Sequence, residues 1–81
     1  MEQFITLSNG IVNTRYIKRI IYHCLEEENE NELIFLDKTG NLIEKIKFKT
    51  TDLMLKAYDK IITEINDKKC LIDLYGELKE N

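Results

Sequence analysis

Between Leu33 and Ile65 the spacing of apolar residues changes once, from every second position to the helical repeat. That change constrains the fold more than any other feature of the chain. Leu33-Ile34-Phe35-Leu36 is a continuous apolar run and therefore a strand. Asp37-Lys38-Thr39-Gly40-Asn41 follows as a turn, with Gly40 suited to the left-handed position of a short hairpin loop. The return strand runs from Leu42 to Lys49. It places Ile46 and Phe48 on one face with Leu42, and Lys45, Lys47 and Lys49 on the other with Ile43; Glu44 interrupts the apolar face near the turn. Thr50-Thr51-Asp52 then offers a hydroxyl N-cap and an acidic first turn. Leu53, Met54, Ala57, Tyr58, Ile61, Ile62 and Ile65 recur on one broad helical stripe.

A strand that is apolar on both faces of its pleat suits a position covered from both sides. One helix covers only one side. Ile34 and Leu36 alternate with Leu33 and Phe35, and Ile21 alternates with Ile20, so these three face away from the helix. Either the C-terminal segment or another chain is expected to cover them.

Upstream, Phe4–Leu7 is a short β-prone run, and Asn9-Gly10 leads into Ile11-Val12. Asn-Gly between apolar runs signals a tight type I′ hairpin. Asn13-Thr14-Arg15 interrupts the pattern, and a helical turn or bulge is expected there. Tyr16 to Leu25 is rich in β-branched and aromatic residues, which favours a strand over the helix that Ile17, Ile21 and Leu25 would also allow. Glu26-Glu27-Glu28-Asn29-Glu30-Asn31-Glu32 carries five carboxylates in seven residues. Such a segment is expected to be a solvated loop, because unpaired charges resist burial. After the helix, Cys70, Ile72 and Leu74 alternate as in an edge strand, while Leu71, Leu74 and Leu78 would suit a short helix; the strand is preferred.

The resulting expectation is one α+β domain over residues 1–81. An antiparallel β-meander of four to five strands (about 3–49) packs against one C-terminal amphipathic helix (about 52–65), followed by a short strand or helix (69–78). The helix stripe should meet Phe48, Ile46, Phe35 or Leu33, and Ile20. Eighty-one residues make a small core. The absence of proline and the presence of only three glycines argue against long irregular loops.

Net charge of −3 and a pI near 5.1 weigh against a nucleic-acid binder, which concentrates Lys and Arg on one face. No run of 18 apolar residues could span a membrane. The opening Met1-Glu2-Gln3-Phe4 lacks the basic-then-apolar pattern of a signal peptide, so the expected compartment is the cytoplasm. There Cys24 and Cys70 are expected as free thiols and small buried hydrophobes.

The residues that could carry chemistry are few. His23, Cys24 and Cys70 with Glu26 would be a conceivable zinc set, but paired-ligand spacing is missing, and adjacent strand residues point to opposite faces. The same geometry separates His23 from Cys24 as a nucleophilic pair. Ser8 is the only serine and lies in a turn, and Gly10, Gly40 and Gly76 are too far apart for a phosphate loop. The acidic segment lacks the spacing of a calcium-binding EF-hand loop. The expectation is a non-enzymatic chain with no cofactor, no metal and no small-molecule substrate.

The order Leu7-Ser8-Asn9-Gly10, Asn13, Ile17-x-x-Ile20 and Leu33-Ile34-Phe35-Leu36 with its glycine turn resembles small bacterial strand-rich proteins such as the flagellar FlbD family. The likeness spans roughly the first fifty residues and consists of turn glycines and apolar spacing. The acidic segment and the residues after Ile65 depart from it, and it implies no functional residue. The functional expectation is a small adaptor or inhibitor of the kind that phages and mobile elements encode. It would bind another protein or itself as a homodimer through Ile21, Ile34 and Leu36 with Lys45, Lys47 and Lys49. The alternative is a nucleic-acid-associated regulator that uses the lysine row, extended by Arg15, Lys18 and Arg19, with Tyr16 or Tyr22 as a stacking group.

Overall fold

The computed structural model describes residues 2–8 and 10–80, Glu80 by its backbone alone. Helix α1 spans Thr51–Asn66 and starts where the sequence places it. The Thr50 hydroxyl accepts the Leu53 N–H at 3.2 Å, and Asp52 lies in the first turn. The helix ends through Lys68 in the left-handed region (φ 57°), whose N–H reaches the Ile65 carbonyl at 3.1 Å. Met54, Ala57 and Ile61 are buried, with Leu53, Tyr58 and Ile65 beside them. Ile62 differs from the expected stripe and is 37% exposed.

Strands β3 (Ile17–Leu25), β4 (Glu30–Asp37) and β5 (Leu42–Lys47) form an antiparallel meander in sequential order. Leu33, Phe35, Ile46 and Phe48 point at α1 and are buried. Two irregularities adjust the register, one between Ile17 and Arg19 of β3 and one where Leu36 pairs with Leu42 of β5. The second takes Leu42 off the buried face expected for it and leaves it 57% exposed. A 3-10 turn over Thr14–Tyr16 makes the expected bend before β3.

The N-terminal hairpin does not extend this meander. β1 (Phe4–Leu7) pairs with β2 (Gly10–Asn13) and, in parallel, with β6 (Leu71–Ile72), forming a second three-stranded sheet. The turn type expected at Asn9 lies outside the described residues. The C-terminal segment realises both readings of its sequence: β6 is followed by α2 (Tyr75–Glu80). The Thr6 hydroxyl accepts the Leu74 N–H at 2.9 Å, and Asp73 Oδ1 accepts the Tyr75 N–H at the same distance. Lys60 of α1 then holds the junction by donating to the Asp73 carbonyl at 2.7 Å and pairing with Glu77 at 3.2 Å. Ile5, Leu7, Ile72 and Leu74 therefore join the meander and α1 in a single core.

Glu44, which interrupts the apolar face of β5, is buried beneath the hairpin, where its carboxylate accepts the Ser8 N–H at 3.2 Å. The acidic segment is also shorter than expected. A 3-10 turn covers Glu26–Glu28, Asn29 takes the left-handed conformation (φ 50°), and β4 begins at Glu30. Asn31 and Glu32 are consequently buried, contrary to the expected solvated loop. Tight chain reversal at Asn29 puts them into the ladder opposite Cys24 and His23. Both cysteines are free; Cys24 is half-buried, whereas Cys70 is exposed instead of packing in the core. Among the described residues no helix is long and apolar enough to cross a membrane.

The β4–β5 turn is organised by Asp37, whose Oδ1 accepts from the Thr39 hydroxyl at 2.8 Å and from the Thr39 and Asn41 N–H groups at 2.9 Å each. Gly40 occupies positive φ (87°). The Thr39 hydroxyl first, and then the Asn41 backbone, hold the Asp37 carboxyl below its ordinary range.

Two outcomes follow from this packing. Ile61→Asp should remove cooperative thermal melting, because an unpaired charge at a fully buried position costs about 3–5 kcal/mol, comparable to the stability of a domain this small. A normal melt would refute the assigned packing of α1. In an NMR pH titration, Asp37 should titrate below the usual aspartate value of about 3.9. Its contribution to the hairpin should be complete above that value and disappear as pH falls through the lowered one, and Thr39→Val should move the titration back up.

Candidate interaction face

Strand pairing sorts the residues of the meander into transverse rows. Tyr22, Leu33 and Ile46 form one row of the inner face, which α1 covers, and Ile20, Phe35 and Glu44 form the next. The outer face carries Ile21–Ile34–Lys45 in one row and His23–Glu32–Lys47 in the next. Arg19 and Leu36 pair beyond the isoleucines, and Leu25 pairs with Glu30 at the opposite end. The structure thus brings Ile21, Ile34, Leu36, Lys45 and Lys47 together on one surface. Lys49 lies past the end of β5, between buried Phe48 and the Thr50 cap, and is exposed.

Ile21, Ile34 and Leu36 are half-buried, and none packs against the core. Their ladder neighbours include the long side chains of Arg19, opposite Leu36, and Lys45, opposite Ile34. The C-terminal segment does not lie over this face: β6 pairs with β1, and α2 is tied to α1 through Lys60 and Glu77. One of the two covers anticipated for the outer face is therefore used elsewhere.

His23 and Cys24 point to opposite faces, as strand alternation requires. On the inner face, the Thr51 hydroxyl donates to Asn31 Oδ1 at 2.6 Å, and the Cys24 thiol lies 3.5 Å from both. This triad satisfies buried Asn31 at the start of α1. On the outer face, His23, Glu30 and Glu32 bring their ligand atoms within 4.8 Å of one another, with His23 Nε2 at 3.7 Å from Glu30 Oε2. Sequence reasoning missed this group because it took Glu30 and Glu32 as loop residues; their i, i+2 spacing was the available signal for a shared strand face.

A second apolar feature lies beside α1. Ile17, Ile20, Ile62 and Ile65, with Thr14 and Lys18 at the rim, line an open groove of about 300 Å³. Tyr22 stacks edge-on against Tyr58 of α1, with ring centroids 5.2 Å apart, so it belongs to the helix side and not to the lysine row.

The architecture defines a small α+β domain with one covered and one open sheet face. Comparison with models of protein families, with curated proteins and with solved structures finds no match. The turn-glycine resemblance to FlbD-type proteins therefore carries no assignment.

The two faces should respond differently to truncation. Leu33→Ala, at a fully buried site, should lose about 2–5 kcal/mol in urea denaturation. Ile34→Ala, one residue along and half-buried on the outer face, should lose about 1 kcal/mol or less. Equal losses would contradict the assigned register.

Proposed function

We propose that this chain is a non-catalytic protein-interaction module that works through the outer face of the β3–β4–β5 sheet, with a second copy of itself as occupant. The observation that carries this reading is the row Ile21–Ile34 beside Leu36, left outside the core on a sheet whose other face is closed. Around that apolar centre the face carries both signs of charge, with Arg19 beyond the isoleucines on β3, Lys45 and Lys47 along β5, and Glu30 and Glu32 along β4. Mixed charge around an apolar centre suits a two-fold contact, in which basic groups of one copy can meet acidic groups of the other. A domain of 81 residues also has a thin core and gains stability from association.

The nucleic-acid reading draws on the same lysines. Two features weigh against it. Glu32 stands beside Lys47 in the same row, and the Tyr22 ring is turned to Tyr58 on the opposite side of the sheet. A phosphate-tracking surface favours uninterrupted positive charge with accessible aromatic faces.

Sedimentation equilibrium at micromolar concentration should give a mass above the 9.6 kDa of one chain. Ile34→Asp should return it to 9.6 kDa with an unchanged circular dichroism spectrum. A monomeric wild type would overturn self-association. Salt-sensitive binding to a labelled oligonucleotide, lost with Lys45→Glu, would favour the nucleic-acid reading instead.

A further inference from the structure

We propose that His23, Glu30 and Glu32 form a binding site for a divalent transition-metal ion, with zinc the best fit. The three side chains come from the paired ends of β3 and β4. His23 sits directly opposite Glu32, and Glu30 is two residues along the same face. Their donor atoms lie within 4.8 Å of one another. Ligands of a tetrahedral ion held at about 2.1 Å stand about 3.4 Å apart. His23 Nε2 and Glu30 Oε2 are already 3.7 Å apart, and both side chains are exposed enough to close the remaining gap by rotamer adjustment.

The independent observation is Glu32. Its residue is only 7% exposed, yet among the described residues its carboxylate makes no hydrogen bond and no ion pair. A carboxylate withdrawn from water is costly without a partner. No fully enclosed side-chain oxygen among the described residues lacks a hydrogen bond, so the Glu32 carboxylate keeps contact with the surface at its tip. It therefore sits within the cluster, within 4.8 Å of the His23 and Glu30 donor atoms, while remaining reachable by an ion from solution. Two carboxylates and one neutral imidazole match the charge of a divalent cation. One imidazole nitrogen with two oxygens suits zinc and its neighbours better than calcium or magnesium, which take oxygen sets. Three protein ligands leave a position for water, so the site binds a metal without enclosing it.

The test is a titration of the full chain with zinc chloride alone, followed by calorimetry and by NMR of the imidazole protons. His23 is the only histidine, so those signals are unambiguous. The expected result is one ion per chain with a shift of the His23 ring protons, weakened at least tenfold by His23→Ala and by Glu32→Gln. The cysteines are alternative zinc ligands, and the Cys24→Ala/Cys70→Ala variant should bind as the wild type does. Circular dichroism of each variant should match the wild type, since His23 and Glu32 lie outside the apolar core. Absence of 1:1 binding at 100-fold excess of zinc would overturn the site. So would affinity unchanged in His23→Ala, or lost in the cysteine variant.

Discussion

Burial of Leu33 and Phe35 beneath Met54, Ala57 and Ile61 is the contact on which the rest of the molecule depends. It fixes the register of β4, because a slip by one residue would exchange Leu33 and Phe35 for Ile34 and Leu36. The register of β4 in turn fixes β3 and β5, which pair with it on either side. Every row of the outer face is therefore set by packing on the inner one. Each residue placed outside, from Ile21 to Lys47, takes its position from a neighbour that α1 holds inside.

Polar side chains close the ends of that core. Asn31 would be a buried amide at the mouth of the sheet, and Thr51 and Cys24 satisfy its carbonyl where α1 begins. Glu44 would be a buried carboxylate at the other end, and the N-terminal hairpin supplies the Ser8 N–H. The second sheet is more than an addition to the meander, because it covers the one charged residue on the inner face of β5. Thr6, Asp73 and Lys60 then bind that sheet to α1 and to the C-terminal helix through hydrogen bonds that bridge distant parts of the chain.

The elements themselves were legible because their signals are local. The stripe from Leu53 to Ile65, the Thr50 cap and the glycine turn after Asp37 each act within a few residues. Pairing of β1 with β6 was not legible, since only two residues of β6 join the ladder and no local pattern marks their partner. The acidic segment misled for a physical reason. Its charge density suits a loop, but Asn29 reverses the chain early and places Glu30 and Glu32 in a strand. The candidate face was legible in part. Alternation alone puts Ile21, Ile34 and the lysines outside, whereas the register that unites His23 with Glu32 depends on that reversal. A stripe at helical spacing does not specify how much of its width the sheet covers; Ile62 lies where that cover stops, in the groove beside Ile17 and Ile20.

The strand Leu33–Leu36 turns its second face, Ile34 and Leu36, away from α1. Its outer residues are not uniformly apolar once the neighbouring strands are aligned. Ile34 lies between Ile21 and Lys45, and the adjacent row holds His23, Glu32 and Lys47. An apolar centre and a charged end therefore share a single surface, in adjacent rows of the sheet. An ion held by Glu30 and Glu32 would cancel the negative part of the rim while leaving Arg19, Lys45 and Lys47 in place. The charge that a second copy meets on this face would then depend on metal occupancy, and association and ion binding would be linked through the same two carboxylates.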